Sequence, residues 1–147
     1  MTDDPYAVFR PRRGRVVPVV VAVISVLVFT VVALTIPGKG SVGWSTPDRV
    51  MLIGFGLLFG AGLLRFAQVR AVPSREGLLV RNLLSERRVE WAQVVNVQFG
   101  GGSPWAVLEL DDTDTLAVMA IQRSDGDRAV QEARRLAALV EGSRPQR

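Results

Sequence analysis

Residues 16–36 read VVPVVVAVISVLVFTVVALTI and carry no charged side chain. A helix rising about 1.5 Å per residue turns this run into roughly 30 Å, the thickness of a bilayer's hydrocarbon. Its many β-branched residues disfavour a helix in water. In lipid an unsatisfied backbone group is so costly that a lone segment must be helical. Pro18 falls in the first turn, where its missing N–H does little harm. The run therefore predicts a transmembrane helix over 16–36, to which the rest of the chain is attached. A cleaved signal is the weaker reading, because the run is too long for an h-region and no A-x-A site follows. Arg12-Arg13 is only a dipeptide match to twin-arginine export.

A Pro/Gly/Ser loop follows over 37–49, with Trp44 suited to a membrane interface. Residues 50–64, VMLIGFGLLFGAGLL, are a second apolar run. Alone it would span only about 22 Å. Continued to Ala67 with Arg65 snorkelling, it predicts a second helix over 50–67 and a tight transmembrane hairpin. Its glycines do not make a dinucleotide fingerprint, which needs a strand before and a helix after. Gly56 and Gly60 read instead as a GxxxG packing step. They fit Ala22 and Ser25 of the first helix, or a second copy in a homo-oligomer; the tether favours the first.

The net charge of +4 hides an asymmetry. Residues 1–73 hold 7 Arg and Lys39 against 3 Asp, whereas from residue 74 onward 10 Arg face 11 Asp and Glu. Basic excess beside apolar runs is a membrane-orientation pattern rather than a nucleic-acid face. Arg10, Arg12, Arg13 and Arg15 precede the first run, and Arg65, Arg70 and Arg75 follow the second. The loop between has Lys39 and Arg49 against Asp48. The positive-inside rule then predicts a two-pass protein of the plasma (inner) membrane with both termini cytosolic. Residues 1–15 read as a flexible basic tail.

Cysteine and histidine are both absent. Disulfides, thiolate metal sites and Ser–His or Cys–His pairs are excluded. The single lysine and single tyrosine, Lys39 and Tyr6, lie outside the second half. No acidic residue lies inside either apolar run. No enzymatic activity, no metal and no cofactor is expected.

The second half changes period. Short runs with strand character are QVRAV (68–72), GLLVRN (77–82), ERRVEW (86–91), VVNVQF (94–99), WAVLEL (105–110) and TLAVMAI (115–121). In the fourth, Val95, Val97 and Phe99 alternate with polar residues, which predicts that these three face the core. DDTD between the last two marks a hairpin turn. SDGDRAVQEARRLAALVEG predicts a helix capped by Ser124, with Asp127 completing the box and Gly142 as the stop. Its apolar stripe is Ala129, Val130, Ala133, Leu136, Ala137 and Val140. About six strands closed by one amphipathic helix is an α+β pattern. This domain is expected over 68–142, with a short tail over 143–147.

REGLLVRN (75–82), RRVEWAQVVNVQF (87–99), PWAVLEL (104–110) and TLAVMAIQ (115–122), with the paired helices in front, resemble the small bacterial pleckstrin-homology-like (PH-like) domains of actinobacterial membrane proteins. The resemblance implies a bent β-barrel or sandwich plugged by a C-terminal helix, and no catalysis.

Within that frame, Trp91 and Trp105 are expected as buried structural anchors. GGGS (100–103) lacks a following Lys and helix, so it reads as a hairpin loop. Asp111, Asp112 and Asp114 lack the Gly and Glu of a calcium loop and read as a solvated turn. Arg75, Arg87 and Arg88 are the residues expected to touch a partner or lipid. The favoured role is a membrane-anchored module docking an unidentified protein by an exposed strand edge. The alternative is anionic headgroup or small-ligand binding by the basic membrane-proximal face.

Overall fold

The computed structural model describes residues 4–38 and 43–143. Lys39, and the expected tail beyond Ser143, lie outside them. The chain forms two compact units. One, Val16–Ala67, carries two helices; Met1–Arg15 joins Gln68–Arg147 in the other.

In the helical unit α1 (Arg13–Thr35) and α2 (Thr46–Phe66) are the two elements. Helix α2 starts four residues before the expected Val50 because Ser45 caps it. The Ser45 backbone N–H donates to Asp48 Oδ2 (2.8 Å), and Ser45 Oγ accepts from the Asp48 N–H (3.5 Å). Pro47 sits in the first turn, where its missing donor is harmless. At 21 residues the helix is about 31 Å long. Arg49 reaches back to the end of α1, its Nη2 donating to the Ile36 carbonyl at 2.9 Å. These last carbonyls have no partner within their own helix. A Cβ added at Gly56 would sit 2.7 Å from Phe29 Cβ, and one at Gly60 3.0 Å from Val26 Cγ2. The two glycines thus let α2 approach α1, and Phe29 meets Phe55 edge-on at 5.4 Å between ring centres.

The other unit has six strands: β1 (Arg70–Pro73), β2 (Gly77–Arg81), β3 (Glu86–Glu90), β4 (Val94–Gln98), β5 (Trp105–Leu110) and β6 (Thr115–Gln122). They form two antiparallel three-stranded sheets, β1-β2-β3 and β4-β5-β6. Helix α3 (Asp127–Gly142) follows, burying Ala129, Ala133, Leu136 and Val140 at helical spacing. Leu78, Val80, Val89, Leu108, Val118 and Ile121 of the strands make one core with them.

Three expectations are corrected. First, the N-terminal segment is not a loose tail. Phe9 is 1% exposed within this core, and its N–H and carbonyl pair with Ala71 at 2.9 and 3.0 Å. Phe9 leaves water there while its neighbours Tyr6 and Val8 stay exposed. Second, Ser124 does not cap α3. It lies in a 3₁₀ turn, Arg123–Asp125, and Gly126, at φ 61°, stands at the cap position. Third, Val95 does not face the core. A β-bulge between Val94 and Asn96 shifts the register, so Val94 is buried and Val95 is 52% exposed. One inserted residue reverses the alternation on its N-terminal side. Val97 and Phe99 pack against the core.

Candidate functional site

The strand register assigns a face to every basic residue singled out above. Along a strand, neighbouring side chains point to opposite faces, and directly opposed residues share one. Val80, opposite Arg87, is buried; Leu79, opposite Arg88, is half-buried. Arg87 therefore lies on the inner face at its margin and Arg88 on the outer face. Arg87 turns towards the β5–β6 turn, where its Nη1 meets Asp114 Oδ2 at 2.5 Å and its Nη2 meets Asp112 Oδ2 at 3.7 Å. The hydrogen bond from Arg87, then that from the Thr115 N–H, lower the Asp114 pKa. The bond to Asp114 likewise raises that of Arg87. Arg75 lies apart, exposed in the β1–β2 turn. Arg75, Arg87 and Arg88 are not one cluster.

The outer face of β1-β2-β3 gathers a different set. Arg70 lies opposite Arg81, and Arg81 opposite Glu86, in one row; Val72, Leu79 and Arg88 form the next. Arg81 pairs with Glu86 at 3.5 Å, and Arg70 Nε is buried with no hydrogen-bond partner. The register that brings Arg70, Arg81 and Arg88 together is set by the two hairpins, so neighbour-by-neighbour reading of the sequence missed it.

The sheet edges differ in what covers them. Edge strand β1 carries the isolated bridge from Phe9. On β6 the Asn82 side chain acts as a strand substitute: its Nδ2 donates to the Ala117 carbonyl (2.8 Å) and its Oδ1 accepts from the Met119 N–H (3.2 Å). Edge strand β3 has only β2 as a strand neighbour among the described residues, and Glu86, Arg88 and Glu90 on it are exposed.

Trp91 is 3% exposed at the corner between the sheets, its Nε1 donating to the Ser74 carbonyl at 2.9 Å. Trp105 departs from the expectation of burial: it is half-buried at the start of β5, on the side opposite buried Ala106. Gly100, Gly101 and Gly102 all have positive φ, as a glycine hairpin loop requires. Around the acidic turn, Asp112 Oδ1 accepts from the Asp114 N–H and Asp114 Oδ1 from the Thr115 N–H. These carboxylates are engaged by Arg87 and by the turn itself.

Residues 67–138 match the family described as Bacterial PH domain. An uncharacterized protein of Mycobacterium bovis and two of Mycobacterium tuberculosis are each 41% identical over 108 residues, covering 74% of this chain and 70% of theirs. No solved structure gives a significant match. Two three-stranded sheets closed by a C-terminal helix, and relatives that share most of their length with this one, make the chain a member of the bacterial PH domain family.

Proposed function

We propose that the protein is a non-catalytic interaction module that two membrane-spanning helices hold at the cytosolic face, docking a protein partner along the edge of β3. The carrying observation is a charge-patterned edge strand with no strand neighbour beyond β2 among the described residues, its edge groups free for pairing up to the Glu90 N–H, which Gln93 Oε1 holds, in a domain without histidine, cysteine or lysine. Open N–H and C=O groups pair with an added strand, and the alternating charges select it. Membrane attachment rests on α1 and α2, long and apolar enough to cross, with only 11% of either apolar window buried. The core helix of a water-soluble protein would hide far more.

A second reading has its own observation. Arg70, Arg81 and Arg88 on one sheet face suit an anionic headgroup, at about 1 kcal/mol per well-placed arginine. One experiment separates the two. A photoreactive amino acid replaces Arg88 in the full chain, with Arg128 on α3 as the control position. A discrete protein adduct at 88 in native membranes supports docking. A lipid adduct, formed with anionic bilayers and fading as salt rises, supports the headgroup reading. Equal background at 88 and 128 counts against both.

A further inference from the structure

The N-terminal segment lies in the β-domain as a bound peptide lies in its receptor. Taken in order, its groups meet fixed partners. Arg135 Nη1 donates to the carbonyls of Pro5 (3.3 Å) and Ala7 (2.9 Å). The same guanidinium stacks 3.9 Å over the Phe9 ring. Phe9 exchanges two backbone hydrogen bonds with Ala71 on the edge of β1. Pro11 is fully buried. The N–H groups of Arg12 and Arg13 then donate to Asp125 Oδ2 (2.8 Å) and Oδ1 (3.0 Å). Glu132 holds Arg135 in position, accepting from its Nη2 at 2.6 Å.

This is strand addition with one aromatic anchor, a recognised way of binding extended peptides. Its backbone pairing is one isolated bridge and its remaining hydrogen bonds come from exposed groups, while Phe9 and Pro11 supply its buried area. A segment with so few backbone bonds opens locally at lower free energy than the paired strands.

We propose that the groove between the β1 edge and α3 is a peptide-recognition site whose resident occupant is residues 4–13 of the same chain. A partner's segment enters only by displacing it. Such a segment is extended and presents free carbonyls, then an aromatic side chain, then two free N–H groups. This site is distinct from the β3 edge, so a blank at position 88 leaves it standing, and its own failure leaves the docking reading standing.

The test uses full-length chain in neutral detergent and a fluorescent peptide of residues 4–13 as the probe. The Phe9→Ala chain is expected to bind the probe at least about tenfold more tightly than the unchanged chain, whose tethered segment competes at high effective concentration. A probe carrying its own Phe9→Ala, or a chain carrying Arg135→Ala as well, should lose that gain. Equal binding to both chains, or binding indifferent to the probe's phenylalanine, overturns the proposal. Should Phe9→Ala prevent folding, hydrogen exchange on the unchanged chain decides. The Ala71 amide, which donates to Phe9, should exchange at least about a hundredfold faster than the amides of central strand β5. Matching rates would mean a permanent strand and overturn it.

Discussion

Gly77 is where a single added carbon has nowhere to go. A Cβ there would run into the Val89 carbonyl of the neighbouring strand, which is backbone and cannot turn aside. Gly77→Ala should destabilise the domain by about 1–3 kcal/mol, as overpacking does, in denaturant unfolding. A cost below experimental error would show that β2 and β3 separate easily at that point. Asp114 gives a pH signature. Its carboxyl titrates below the usual carboxylate range because Arg87 and the Thr115 N–H favour the charged form. A depressed folded-state pKa contributes stability above the unfolded value and loses it as pH falls through the folded one. Asp114→Asn should therefore flatten the acid side of the stability–pH curve and leave its slope near neutrality unchanged. Both carboxylate and guanidinium are well exposed, so salt should weaken the effect.

At the scale of elements, much depends on side chains that stand in for backbone. Asn82, from the β2–β3 turn, satisfies two backbone groups of β6 and so ties one sheet to the other. Asn82→Ala would strand a part-buried N–H and carbonyl, at a cost of about 1–3 kcal/mol. The measurement is thermal unfolding of the full chain, and Asn82→Asp, which sets a carboxylate oxygen against the Ala117 carbonyl in place of the donor, should cost at least as much. Ser45→Ala removes the cap of α2 and should cost about 1 kcal/mol of helix stability. Unchanged thermal unfolding in detergent would show that lipid or detergent satisfies those N–H groups instead. The Ser45-Thr46-Pro47-Asp48 signal was legible in the sequence as a capping box with proline in the first turn. The loop reading set by neighbouring glycines obscured it.

Across the whole molecule, the β-domain is not a C-terminal piece that can be cut free. Its first strand begins at Arg70, and Phe9 of its core comes from before α1. A fragment of residues 73–147 should fail to unfold cooperatively, because it lacks nearly all of β1, an edge of its first sheet; a sharp transition would show that β1 is not needed. Topology can be read with single cysteines, since the chain has none of its own. With the basic flanks inside, Ser41→Cys should react with a membrane-impermeant thiol reagent added to intact cells, and Ser103→Cys only after lysis. The opposite pattern would place the β-domain outside.

The sequence by itself determined what depends on local period and composition. An uncharged run of bilayer length, strand-sized alternation after residue 68, an amphipathic stripe ending at Gly142 and the absence of histidine and cysteine each follow from residues close together in the chain. Only the tertiary structure decided what depends on distant residues meeting. The bulge at Val94–Asn96, the separation of Arg87 from Arg88 and the gathering of Arg70, Arg81 and Arg88 follow from strand register. Register is a relation between strands that no single strand encodes. The capture of Phe9 under Arg135 joins residues 126 positions apart. It exists because the pocket that removes the ring from water is built by the other end of the chain.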